Sequence, residues 1–294
     1  MPKVDKPAAA KAPPPPPPQV PTKAVDVTNY TKAEYDALPP KYKTAVTEAK
    51  AYFDANFSKM SPPPQVLVVA SKSNGDLPVT VIVPPGAKAP LTVQTHYHGD
   101  RAGSVRGENA ATDTIAKNVR AGSKTVYVMP EAADTNTPTN WGNVADINKT
   151  TSEALTAATL KPGDVGRTIV SGHSAGGRAI AAHLTNPKAT KLKADEVVLQ
   201  DALYWTKDTP TYDRIKDNLP NADVKKVTMV HSDDEGMGER RGPALAKDLD
   251  KVGIDHSEIR VAHHPQAAGV IEDYPKVNFI HEDKFERSRP RARP

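Results

Sequence analysis

Two regimes of hydrophobic patterning meet near residue 64. From Thr31 the apolar positions Ala45, Val46, Ala49, Tyr52 and Phe53 recur at helical spacing, with Pro39 and Pro40 interrupting the pattern earlier. Further on, short β-rich runs alternate with helical stretches. The spacing predicts strands over 65–70, 79–83, 91–97, 124–129, 167–171, 196–200, 225–231, 258–262 and 276–280. Helices are expected over much of 109–120, 151–160, 174–184 and 241–252. Such alternation is the pattern of an α/β fold: a mostly parallel central sheet with helices on both faces. The first two strands lie close in sequence and read as an antiparallel entry to it.

The ends of the chain have a different composition. Residues 1–28 include the unbroken run Pro13 to Pro18, which cannot bury enough apolar surface to offset chain entropy and reads as a disordered tail. Residues 29–286 then form one domain, and 287–294 a basic C-terminal tail. This division changes the meaning of the net charge of +4. The first 24 residues carry +3, and Arg287, Arg289, Arg291 and Arg293 carry +4, so the remainder is net −3. The domain is therefore mildly acidic and has none of the basic, aromatic-laced character of a nucleic-acid surface. Cysteine is absent, which excludes disulfides, thiolate metal sites and a cysteine nucleophile. No apolar run reaches the roughly 18 residues of a membrane span, and Pro, Lys and Ala stand where a signal peptide would be apolar. A soluble chain is expected, cytoplasmic or exported by a signal-independent route.

Candidate chemistry concentrates at Gly172-His173-Ser174-Ala175-Gly176-Gly177, directly after the apolar run Thr168-Ile169-Val170 and directly before the helical run that starts at Ala179. This is a G-x-S-x-G between a strand and a helix, the context in which a tight turn presents a nucleophilic serine. Upstream, the strand ending Thr95-His96-Tyr97-His98 runs into Gly99 and Asp100. Backbone amides near Gly99 and Asp100, with that of Ala175, are the candidate oxyanion donors. His98 reads as a packing or orienting residue rather than a catalyst.

Together with Pro84-Pro85-Gly86 and Ala89-Pro90-Leu91-Thr92-Val93, these motifs make residues 65–285 resemble the α/β-hydrolase superfamily of serine esterases, lipases and peptidases. The stretch Val197-Val198-Leu199-Gln200-Asp201-Ala202-Leu203-Tyr204 is similar to a strand-end Asp-x-x-Tyr of some bacterial members. The resemblance implies a triad in the order Ser, acid, His. For the acid, Asp201 is the first choice, with Asp233 and Asp234 after the next strand as alternatives. For the base, His281 is the first choice, with His263 and His264 as alternatives. The implied activity is hydrolysis of an ester or related acyl bond in a small-molecule or peptide substrate, with no cofactor. Within the polar stretch 201–221, Tyr204, Trp205 and Tyr212 are expected either to form part of the substrate wall as a lid or to pack on the core.

Two other readings stay open. His96, His98 and Asp100 resemble the H-x-H-x-D of metallo-β-lactamase-fold hydrolases, although Arg101 follows where a further histidine is usual. The chain could also be a non-catalytic interaction protein on a hydrolase scaffold.

Overall fold

The computed structural model describes residues 20–99, 105, 110–133, 141–200, 202–203, 210–232 and 241–261. In chain order the elements are β1 Val25–Asp26, α1 Lys32–Ala37, α2 Pro40–Asn56, β2 Gln65–Ser71, β3 Leu77–Val83, β4 Leu91–Tyr97, α3 Ala110–Arg120 and β5 Val126–Pro130. They continue with α4 Ile147–Ala157, β6 Val165–His173, α5 Gly177–Thr185, β7 Lys193–Gln200, α6 Thr211–Asn218, β8 Asp223–Ser232, α7 Arg241–Val252 and β9 Asp255–Val261. All the strands join one sheet in the order β1-β2-β3-β5-β4-β6-β7-β8-β9. The pairs β1–β2, β2–β3 and β3–β5 are antiparallel, and every later pair is parallel. The antiparallel entry is made possible by the short turn Lys72–Asn74, whereas each parallel neighbour needs a helical crossover.

Strands of such a sheet are buried on both faces, which is why β5 reads Val-Tyr-Val-Met-Pro with no polar alternation. On one face Val66, Val68, Ile82, Tyr127 and Met129 pack against α2 and α3 through Tyr42, Val46, Phe53, Ile115 and Val119. On the other, Leu67, Val81, Val93 and Val128 meet Ala154 and Leu155 of α4. Further along that second face, Val170, Val197, Leu199 and Met229 meet Ala179 and Ile180 of α5 and Leu245 and Leu249 of α7. Each fully buried aliphatic side chain contributes about 1.5–3 kcal/mol before chain entropy is counted.

One expectation needs correction. The N-terminal tail was expected to reach residue 28, but Val25–Asp26 pairs with β2 and Val27 is fully buried, so the ordered chain begins earlier. Within the 201–221 stretch lies the crossover helix α6, whose Ile215 is fully buried, as is Leu219 just after it, and whose Tyr212 packs on the same core, one of the two roles expected of it. The polar composition of the stretch concealed this helix. Tyr204, Trp205 and the expected strand over 276–280 lie outside the described residues.

Polar clamps join the layers. The Glu153 carboxylate on α4 accepts from Ser71 Oγ at 2.7 Å, from the Ser73 amide at 3.0 Å and from Ser73 Oγ at 2.9 Å, fixing the β2–β3 turn to the helix. Burial acts to raise this carboxyl, but the donors outweigh it and hold its pKa below the ordinary 4.5. A lowered folded-state pKa makes the stabilisation complete above the unfolded value and removes it as pH falls through the folded one. Glu153→Gln is therefore expected to destabilise by about 1–3 kcal/mol at pH 7. The difference from the parent should shrink as pH falls below the ordinary 4.5 and on through the lower folded-state value, which urea unfolding at a series of pH values would measure. An unchanged difference at acid pH would refute the assigned role.

Candidate active site

The strand ends bring the sequence-predicted residues to one edge of the sheet. Tyr97 at the end of β4 is the Cα partner of Gly172, Gly172 of Leu199, and Leu199 of Met229. The backbone after β4, β6, β7 and β8 thus leaves from the same rim. Between β4 and β6 the connections diverge: the helix after β4 packs on the face shared with α2, and the helix after β6 on the opposite face. A crevice opens where neighbouring crossovers part in this way, and it is the usual ligand site of open α/β sheets.

Ser174 stands on one lip of that crevice. Its backbone has φ +48°, between an extended His173 and a single 3₁₀ turn, Ser174–Gly176, that leads into α5. A non-glycine residue in this left-handed region is strained by about 1–2 kcal/mol. The strain is sustained by contacts that only glycine permits. A Cβ built on Gly176 would lie 2.0 Å from the Tyr97 carbonyl oxygen, and one on Gly172 would lie 2.8 Å from the Gly176 carbonyl carbon. Ala175 is fully buried beside them.

Gly99 forms the other lip. Its hypothetical Cβ would be 3.3 Å from Ser174 Cβ and 3.0 Å from His173 Nδ1, so the backbone of the β4 exit lies against the serine. The structure therefore brings together Ser174, Ala175 and Gly99. Asp100, Asp201, Asp233, Asp234, His263, His264 and His281 lie outside the described residues. Gln200, at the end of β7, is the Cα partner of His173.

Histidines crowd this rim. His98 is buried, its Nδ1 is 2.9 Å from the Gly99 carbonyl oxygen, and its ring lies 4.6 Å from that of Trp141. Its Nε2 is 3.8 Å from Glu131 Oε2. Burial, and after it the charge of His98, lowers the His173 pKa to about 4, so His173 is neutral at pH 7. Burial, followed by the charges of His173 and His98, holds His96 well below its ordinary value. Beneath them Gln94 Nε2 donates to Ser171 Oγ at 2.9 Å, and His96 Nδ1 is 3.0 Å from that same oxygen. Sequence reasoning named His173 only within the serine motif and passed over Glu131 and Trp141. The one signal for His173 and Glu131 was position, at or just past the end of a strand, whereas Trp141 lies in the loop before α4.

The metal reading needs both histidines of the His96, His98 and Asp100 cluster. Asp100 of that cluster lies outside the described residues. Among the described residues no group of three or more His, Cys, Asp or Glu could hold a metal ion. No helix among them is long and apolar enough to cross a membrane.

No family model matches the chain. No curated protein matches it either. Among solved structures it is similar to a thermostable esterase from Pseudomonas putida, at 19% identity over 77% of this chain and 81% of that one, with a TM-score of 0.46. It is similar to a carboxyl esterase from Tuber melanosporum at 16% identity over 73% and 88% of the respective chains, TM-score 0.44. An S-formylglutathione hydrolase from Staphylococcus aureus aligns at 13% identity over 68% and 90%, TM-score 0.43.

Two substitutions test the strained turn. Gly176→Ala should destabilise by at least about 2–3 kcal/mol, because the clash is with backbone that cannot rotate away. Gly163→Ala, where a Cβ meets nothing within 4 Å, is the matched control and should be near neutral. Ser174→Gly relieves the positive φ and should raise stability by about 1 kcal/mol. Thermal melting compares all three with the parent, and a Ser174→Gly variant less stable than the parent would contradict the strain.

Proposed function

We propose that the chain is a serine hydrolase of the α/β-hydrolase class that cleaves an ester or related acyl bond, with Ser174 as the nucleophile. The observation that carries this reading is Ser174 held at φ +48° on a strand–turn–helix, at the diverging crossovers of β4 and β6, with Gly99 against it. A side chain kept in a costly backbone conformation at a crevice is the geometry of an exposed nucleophile.

In this reading Ser174 Oγ attacks the substrate carbonyl carbon while a histidine takes its proton. The tetrahedral oxyanion accepts hydrogen bonds from backbone amides near Gly99, Asp100 and Ala175. Collapse expels the alcohol or amine, which takes the proton from the histidine and leaves an acyl-serine. Water then attacks the acyl carbon, again giving up a proton through the histidine, and the acid departs with Ser174 restored. Asp201 is proposed as the acid, ahead of Asp233 and Asp234, and His281 as the base, ahead of His263 and His264. The apparatus calls for no metal or organic cofactor. The segment after β7 is proposed to contribute to the substrate wall.

Intact-mass spectrometry after fluorophosphonate treatment tests the mechanism. One adduct is expected on the parent, insensitive to chelator and absent from Ser174→Ala. A folded parent that takes no adduct would exclude an activated serine and leave the non-catalytic scaffold or a metal-dependent hydrolase.

A further inference from the structure

α5 runs nine residues, roughly 13 Å, away from the serine turn, and His183 stands in its last turn. Beside it a pocket of about 120 Å³ is lined by His183, Thr190, Lys191, Leu192, Asn221 and Ala222, among others. Leu192 and Ala222 come immediately before β7 and β8, so the pocket lies at the amino ends of parallel strands whose carboxyl ends form the serine rim. His183 is 2% exposed, and its two nitrogens are differently placed. Nδ1 is 3.0 Å from the Ile147 amide, which can only donate, so Nδ1 accepts and the ring proton sits on Nε2. That Nε2–H is buried and has no hydrogen-bond partner. Burial favours the neutral ring; Asp146 and the Thr190 carbonyl pull the other way without reversing it, and neither bonds to Nε2. Ile147 and Asp146, the neighbours of Nδ1, do not line the pocket, so the ring meets it from the Nε2 side. A buried donor without an acceptor is rare in a folded protein, and here it borders a space far larger than one water needs.

Charge around the pocket selects the acceptor. The loop 186–193 contains Lys188, Lys191 and Lys193 and no acidic residue, and Lys191 is exposed at the pocket wall. The buried Asp146 lies on the Nδ1 side of the ring, at 4.0 Å. There it accepts from the Thr190 amide at 2.7 Å, the Lys149 amide at 3.0 Å and Thr190 Oγ1 at 3.1 Å, so its charge is compensated where it stands. Of the acids near the α6 end, Asp217 pairs with Lys216, and Asp223 stands in register with Lys193. An anion in the pocket gains from both the Nε2–H and the ammonium, whereas a cation or a further donor would meet a proton already directed at it. We propose that this pocket binds a small oxyanion, a carboxylate or a phosphate group, with the His183 Nε2–H as its buried donor and Lys191 as its counter-charge. The site lies at the opposite edge of the sheet from Ser174 and does not depend on the serine-hydrolase reading.

The test titrates the 15N-labelled full chain with sodium phosphate and, separately, with sodium acetate at constant ionic strength. Long-range 1H–15N spectra follow the histidine rings, the backbone amides of 186–193 report binding in the variants, and thermal melting checks that each variant folds. Expected before titration is a His183 ring with its proton on Nε2. Phosphate or acetate should then shift its signals saturably, with a Kd in the millimolar range. Tighter phosphate assigns a phosphate group, tighter acetate a carboxylate. His183→Asn keeps an oxygen near the place of Nδ1 for the Ile147 amide but lacks the Nε2–H, and should bind at least about tenfold more weakly. Lys191→Gln should lose about threefold, as expected for an exposed charge, and Lys59→Gln, between α2 and β2, should bind like the parent. A proton on Nδ1, no saturable shift with either anion, or a folded His183→Asn that binds as tightly as the parent would overturn the proposal. Should His183→Asn fail to fold, Lys191→Gln decides: binding as tight as that of the Lys59→Gln control overturns it. Each of these failures leaves the serine reading intact, since none involves Ser174.

Discussion

A methyl group at position 176 would sit 2.0 Å from the Tyr97 carbonyl oxygen, and on that close approach the whole rim of the sheet depends. The start of α5 can lie against the exit of β4 only because Gly176 has no side chain. Once it lies there, the chain between β6 and α5 has too few residues to turn gently, and Ser174 takes up the positive φ. The same approach brings Gly99 onto Ser174. One steric condition therefore produces both lips of the crevice, and the strain it imposes is repaid by packing from Ala175, Ala179 and Ile180 on the second face of the sheet. Stability and reactivity oppose one another here, since the residue that would relax the turn removes the nucleophile.

Most of the architecture was legible in the residue pattern. Parallel strands buried on both faces make continuous apolar runs, and β4 and α7 begin and end where periodicity places them. Strands at the C-terminal half ran longer than their apolar centres, because β7 and β8 start with Lys193 and Asp223, polar residues that pair at the sheet's open lower edge. α6 escaped notice because, among charged neighbours, its apolar contacts are few: Ile215 is fully buried and Tyr212 packs on the core. β1 is two residues long and carries no periodic signal at all.

The site was legible in part, for reasons that differ by residue. Ser174 announces itself because the turn needs glycines at fixed offsets. Gly99 does so because a strand ends on it. The surroundings of His98 do not, because they are assembled from the end of β4, the end of β5 and the loop before α4, three segments with no common sequence signature. Asn143 joins Asn74 to Glu131 across that gap, a contact between residues 69 apart that no local pattern encodes.

Electrostatics narrows the choice of a base. A histidine that takes the serine proton must become an imidazolium during the reaction, which requires an environment favouring the charged form. His173 is held neutral, with its pKa near 4, first by burial and then by the charge of His98. His96 is pushed in the same direction by burial, His173 and His98, and its Nδ1 is already engaged with Ser171. Both are therefore ill suited to receive a proton, despite lying nearer Ser174 in the sheet than any strand beyond β7. His98 spends its Nδ1 proton on Gly99. The proposed bases His263, His264 and His281 follow β9, whose end pairs with β8 through Val261 and Ser232.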